Sequence, residues 1–160
     1  MGFRIVEIED LSGPECKIYS IAYDGDGDTS LINEFVERMG ADYPDEVDEI
    51  LYKLESMGKD VGARIQFFRE NEGVPGDGVV ALLNEPGFPL RLYAIRYGSM
   101  LLILGSGGYK DVETWQEDDV LTERATEMIR ISAMITERIK NKDIIIGPDG
   151  TLKGDLYFNE

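Results

Sequence analysis

Residues Leu90 to Lys110 read LRLYAIRYGSMLLILGSGGYK. Leu90 to Tyr97 alternates: Arg91, Tyr93, Ile95 and Tyr97 share one face, and Leu92, Ala94 and Arg96 share the other. Gly98-Ser99 supplies a tight turn, since glycine accepts the positive φ that a short hairpin needs. Met100 to Leu104 is apolar throughout, the pattern of a central strand covered on both faces. This strand is expected to run into a bend, Gly105-Ser106-Gly107-Gly108, followed at once by Tyr109 and Lys110. A buried strand then delivers a phenol and an amine beside a strand bearing two arginines, and a polar site is expected there.

Upstream, Phe3 to Glu9 reads as a strand, Leu11-Ser12-Gly13-Pro14 as a turn, and Cys16 to Tyr23 as the hairpin partner. Asp24-Gly25-Asp26-Gly27-Asp28 places carboxylates at alternate positions, as a calcium loop does. The sixth position is Thr29 where such a loop needs glycine, and the twelfth is Phe35 where it needs glutamate. A turn before a helix fits better, with Thr29 or Ser30 as the cap. Leu31, Ile32, Phe35 and Met39 form one helical stripe. Pro44, Asp45 and Glu46 open a second helix, with Val47, Ile50, Leu51 and Leu54 on its apolar face and Gly58 at its end. A further helical stretch is predicted from about Val61 to Asn71, burying Ile65 and Phe68. Gly73 to Gly78 is a loop, Val79 to Leu83 a short strand, and Asn84 to Gly87 another break.

Downstream, Asp111 to Gln116 is polar and holds the single tryptophan, Trp115, for which core packing is expected. A helix of about twenty residues opens at Glu117. Its stripe is Leu121, Ala125, Met128, Ile129, Ser132, Ile135 and Ile139. The chain closes on a hairpin: Ile144 to Ile146, the Gly147-Pro148-Asp149-Gly150 turn, then Thr151 to Phe158. The predicted class is α+β, with a mainly antiparallel sheet of about five strands. The Leu31–Gly58 helices cover one face, and the long C-terminal helix packs against the sheet.

At 160 residues and 42% apolar content the chain reads as a single domain, 1–160, with a real core. Its 32 acids against 16 bases give a net charge of −16. The excess is uneven: residues 1–50 carry 14 acids and 3 bases, 51–100 carry 6 and 6, and 101–160 carry 12 and 7. Such a charge repels polyanions and opposes bulk nucleic-acid binding. There is no histidine and one cysteine, Cys16, which excludes a zinc cluster, a Ser/His or Cys/His pair and an internal disulfide. Neither a membrane span nor a signal peptide is apparent, so a cytoplasmic location is expected. No cofactor or metal is implied.

The element order resembles the RelE/HigB-like toxin superfamily, nearest its phage-derived, host-killing-type proteins. The resemblance runs from about Tyr19 to Met128. Ile21-Ala22-Tyr23-Asp24-Gly25-Asp26-Gly27 and Phe35-Val36-Glu37-Arg38-Met39 resemble that family's opening strand and first helix. Ile50 to Gly58 resembles its second helix. Leu90 to Tyr97 resembles its Leu-Tyr-Glu-Leu-Arg and Tyr-Arg-Ile strands merged. Leu102 to Lys110 resembles its Ile-Val-Leu-Leu-x-Gly-Phe-x-Lys-Lys strand and turn, and Gln116 with the following helix its Thr-Gln phrase. On this view 19–128 is the family core, and 129–160 is the end of the C-terminal helix plus an extra hairpin.

The family's members are cytoplasmic ribonucleases that cut messenger RNA on the ribosome and are silenced by a paired antitoxin. The resemblance implies Arg91, Arg96, Tyr109 and Lys110 as catalytic residues, cations and a phenol that stabilise a pentavalent phosphate and move protons. Arg91 and Arg96 lie on opposite faces of a regular strand, so at most one meets the site without a bulge. The chain departs from the family in being acidic, and Lys110 is followed by Asp111, Val112 and Glu113 where members carry further bases. Three readings follow. The leading one is a divergent, non-catalytic relative that binds a protein partner, antitoxin-like or other, and whose extra hairpin covers or extends the sheet edge. The alternatives are an mRNA endonuclease toxin acting on ribosome-bound mRNA, and an acidic nucleic-acid mimic. None involves a membrane, and the oligomeric state is left open.

Overall fold

The computed structural model describes residues 2–25, 29–70, 77–82, 87–110 and 115–159, the side chains of 115–118 excepted. Among these the order is β1 (Gly2–Glu7), β2 (Lys17–Tyr23), α1 (Leu31–Gly40), α2 (Pro44–Ser56), β3 (Phe68–Arg69), β4 (Val79–Leu82), β5 (Leu90–Tyr97), β6 (Leu101–Tyr109), α3 (Trp115–Lys140), β7 (Ile144–Ile146), β8 (Leu152–Gly154) and β9 (Tyr157–Asn159). Seven strands form one sheet in the order β3-β4-β5-β6-β2-β1-β9, while β7 and β8 pair separately. Neighbours in the large sheet run antiparallel except β2 and β6, which are parallel. The class is α+β as the sequence implies, with seven strands where about five are predicted.

Alternation along each strand sorts the core onto the two faces. Leu90, Leu92 and Ala94 of β5, with Leu102 and Leu104 of β6, pack against Ile32 and Phe35 of α1 and Val47, Ile50 and Leu54 of α2. Tyr93, Ile95, Leu101 and Ile103 face the other way, onto Met128, Ile131 and Ile135 of α3. The sheet is thus a middle layer between two helical ones, and β6 at its centre is buried on both sides. That position explains the unbroken apolar run at its start.

The helices begin where their capping chemistry allows. The Ser30 hydroxyl accepts a hydrogen bond from the Asn33 amide at α1, and Pro44 opens α2 with Asp45 and Glu46 in the first turn.

Three expectations are corrected. Gly105 to Gly108 is continuous strand, not a bend. Leu92 pairs with Gly107 and Ala94 with Leu104, so β6 carries one extra residue there, a bulge. Glycine is required at 107 because a Cβ would lie 1.8 Å from the Arg91 carbonyl oxygen. The predicted helix from Val61 to Asn71 is also absent over the described part. A π-helical turn (Met57–Val61) is followed by Gly62 at φ +80°, a conformation that stops a helix. The aromatic stretch beyond then makes a 3₁₀ turn (Ile65–Phe67) and β3, leaving Ile65 exposed while Phe68 is buried. Thirdly, Thr151 to Phe158 is not one strand. It breaks after Gly154 (φ +113°), and β9 crosses to pair with β1. The readings on Asp26 to Asp28, Gly73 to Gly76, Leu83, Asn84 to Pro86, Asp111 to Thr114 and the Trp115 side chain lie outside the described residues.

Candidate functional site

The bulge in β6 decides what its end presents. Before it, Leu102 and Leu104 face α1 and α2. Without the extra residue, strict alternation would turn Tyr109 towards α3. With it, Tyr109 lies on the α1/α2 side and its ring stacks on Tyr43, centroids 5.3 Å apart and planes 16° from parallel. Beside the stacked pair is a cleft of about 140 Å³ lined by Arg38, Met39, Asp42, Tyr43, Gly108, Tyr109 and Val120. Lys110 follows at the strand's end, its amide donating to the Pro89 carbonyl at 2.7 Å.

The four residues singled out from the sequence do not converge. Tyr109 and Lys110 are together by sequence and lie at one end of the hairpin. Arg91 pairs across the strands with Gly108, at the same end but on the α3 face, shared with Tyr93 and Ile95. Arg96 lies five residues further along β5, roughly 17 Å at ~3.3 Å per residue, on the opposite face from Arg91. Its Nε donates to the Ala63 carbonyl at 2.7 Å and its terminal nitrogen to the Ser99 hydroxyl at 3.3 Å. Arg96 therefore staples the hairpin turn to the segment after α2. The bulge lies in β6 and not in β5, so it re-aims the tyrosine and leaves the two arginines on separate faces.

A polar cluster that the sequence reading did not isolate lies where α1, β6 and α3 meet. The Arg38 Nε donates to Glu34 at 2.7 Å, and a terminal nitrogen of Arg38 donates to the Ser106 hydroxyl and the Gly107 carbonyl. The Ser106 hydroxyl in turn donates to Glu34. Arg124 of α3 pairs with Glu34 at 3.4 Å and with Glu127 at 3.1 Å. Glu127 accepts a hydrogen bond from the Tyr23 hydroxyl at 2.8 Å, and Arg130 donates to the same phenol oxygen.

Burial pushes the Glu34 carboxyl upward. Hydrogen bonds from Arg38 and Ser106, with the charges of Arg38 and Arg124, outweigh that and hold it below the usual glutamate value. Burial and the neighbouring Glu127 together raise the Tyr23 phenol far above its ordinary range. Both arginines thus have carboxylate partners, and this phenol is not a ready proton acceptor. The one available signal was the Glu34/Arg38 spacing of four on a helix; the partnership with Ser106 needs the tertiary fold.

A second cleft, of about 520 Å³, opens between α1, α2 and the loop after β1. Its floor is apolar and its rim acidic. Cys16 is buried, and burial raises its thiol to about 11, so it is not a reactive nucleophile. Among the described residues there is no cluster of acids and thiols suited to a metal ion, and no helix is long and apolar enough to cross a membrane. Asp24, the first carboxylate of the calcium-like run, instead accepts hydrogen bonds from the Gly2 amide and the Tyr157 hydroxyl. Comparison with protein-family models, curated proteins and solved structures returns no significant match to this chain.

Proposed function

We propose that this chain is a divergent, non-catalytic relative of the RelE/HigB-like proteins that acts by binding another protein. The observation that carries the reading is the dispersal of its cations. Cutting a phosphodiester needs positive groups gathered where charge develops in the transition state. Here Arg96 is bound to a backbone carbonyl at the far end of the hairpin, and Arg91 faces the opposite side of the sheet from Tyr109. Arg38, which lines the cleft beside Tyr109, and Arg124 are both paired with Glu34. The net charge of −16 adds long-range repulsion from a phosphate-walled site.

One observation favours the endonuclease alternative: Tyr43, Tyr109 and Arg38 come together beside a small cleft, and Lys110 follows Tyr109 in the chain. Expression from a tight promoter, with mapping of mRNA ends on ribosomes, separates the two. The expected result is growth without codon-phased cleavage. Growth arrest with phased cleavage, abolished by Lys110→Ala and by Tyr109→Phe, would restore the toxin assignment. Co-elution of the protein with the product of the adjacent gene on size exclusion is the positive arm.

A further inference from the structure

We infer that the cleft between α1, α2 and the β1–β2 loop docks a basic amphipathic helix of the partner, an assignment that rests on the protein-binding reading and names its surface and its chemistry. The floor of the cleft is made by Ile8, Leu11, Val36 and Leu51. Tyr52 stands at its edge, 76% exposed, more than any other large hydrophobic side chain among the described residues. An exposed tyrosine beside an apolar trough is the kind of residue that anchors an interface, because a rigid ring covers much area with little entropy to lose.

The walls are fixed in advance. Gly58, in the π-helical turn that follows α2, lies so close to the β1–β2 loop that a Cβ there would come within 1.9 Å of the Leu11 carbonyl oxygen. The Glu15 and Cys16 amides both donate to the Gly58 carbonyl, at 2.9 and 3.2 Å. The loop is thereby fastened to the helix, and a ligand need not order it.

The occupant follows from shape and charge. The main sheet offers poor edges for strand addition, since β3 has two residues and β9 three. The trough instead suits side chains spaced at i, i+3, i+4 and i+7 on a helix. Among the described residues, every charged one lining it is acidic: Asp10, Asp48 and Glu55. Glu55 pairs with Lys59 at 3.8 Å, both well exposed, a contact that an incoming cation displaces at little cost. The first 50 residues carry 14 acids against 3 bases, so the field around the cleft favours lysine and arginine on the incoming helix and repels acidic partners, nucleic acids and a second copy of this chain.

The test is selection of a display library against the full-length protein. The library presents helical peptides of about sixteen residues, long enough for a marginal isolated helix. Leucines are held at the helical spacing, and the flanking positions are randomised over Lys, Arg, Glu, Gln and Ser. Lysine and arginine are expected to enrich at the flanks. The leading peptide, made synthetically, is expected to lose about tenfold or more in affinity against Tyr52→Asp and against Asp48→Lys with Glu55→Lys, and to weaken as salt is raised. All three positions are exposed, so circular dichroism of the variants should match the parent. Acidic or uncharged flanks, peptides retained equally by the variants, or no enrichment over the Tyr52→Asp protein would each overturn the assignment. If the adjacent gene's product co-elutes equally with parent and Tyr52→Asp, the cleft falls while the protein-binding reading stands. Codon-phased cleavage in the expression assay brings down that reading itself.

Discussion

Glu34 illustrates how a single carboxylate can tie three elements together and still be held ionised. It sits on α1, receives the Ser106 hydroxyl from β6 and Arg124 from α3, and shares Arg38 with the Gly107 carbonyl. Its folded pKa is depressed, so its contribution to stability is present above the unfolded value, near 4.5, and is lost as pH falls through the lower folded value. Glu34→Gln should therefore destabilise at neutral pH, by about 1.5–3 kcal/mol, the range for charged hydrogen bonds. The gap between parent and variant should narrow towards pH 3. Urea melts at pH 7 and pH 3.5 measure both; an equal gap at the two values would rule out this role. Gly107 and Gly40 make a paired test of the backbone. At 107 a Cβ meets the Arg91 carbonyl at 1.8 Å, whereas at 40, the last residue of α1, it meets nothing within 4 Å. Gly107→Ala should cost about 3 kcal/mol or more through strain in the sheet. Gly40→Ala should stabilise by about 0.5–1 kcal/mol by narrowing the unfolded ensemble. Thermal melts of the two variants would show opposite signs.

The C-terminal strand is the element most dependent on a few side chains. Phe158 of β9 stacks on Phe3 of β1, centroids 4.7 Å apart, and Arg138 of α3 lies 3.6 Å above the Phe158 ring. The same guanidinium donates to the Asp155 carbonyl at 2.9 Å and to the Tyr157 carbonyl, and pairs with the Asp155 carboxylate. Removing it takes away a cation–π contact and two hydrogen bonds together. Arg138→Ala should raise hydrogen exchange at Tyr157 to Asn159 while leaving β5 and β6 protected; uniform acceleration over the whole sheet would mean that β9 is no separate unit. This strand also marks where the sequence stops being legible. The central hairpin, α1, α2, α3 and the β1–β2 pair could be read because each carries a local period and a turn or cap. β9 could not, because its partner lies more than 150 positions away in the chain, and a three-residue strand has no period of its own. The bulge in β6 was hidden for a related reason. Gly105 to Gly108 satisfies every local rule for a bend, and only the close approach of the Arg91 backbone and of Met128 shows that glycines are needed inside a strand. The separation of Tyr109 from Arg91 follows from that bulge, since Tyr109 changes face while Arg91 does not.

At the scale of the whole molecule the net charge of −16 acts on stability and on binding in opposite directions. Folding gathers these carboxylates into a smaller volume, so their mutual repulsion is greater in the folded state and is relieved by counter-ions. The Debye length falls from about 30 Å at 0.01 M salt to about 3 Å at 1 M. The melting temperature should accordingly rise with sodium chloride by several degrees, about 2–4 °C for each kcal/mol relieved in a chain of this size. Neutralising two exposed acids, Glu9→Gln with Glu37→Gln, should raise the low-salt melting temperature and flatten its salt dependence. That control separates screening from a general salt effect on apolar burial, which the double variant would leave unchanged. Docking of a cationic helix in the α1/α2 cleft has the reverse dependence, because the field that strains the fold is the one that draws the partner in. Peptide affinity measured over the same salt series should fall while the melting temperature climbs. If both rise together, apolar burial dominates the contact, and the acidic rim of the cleft contributes nothing to recognition.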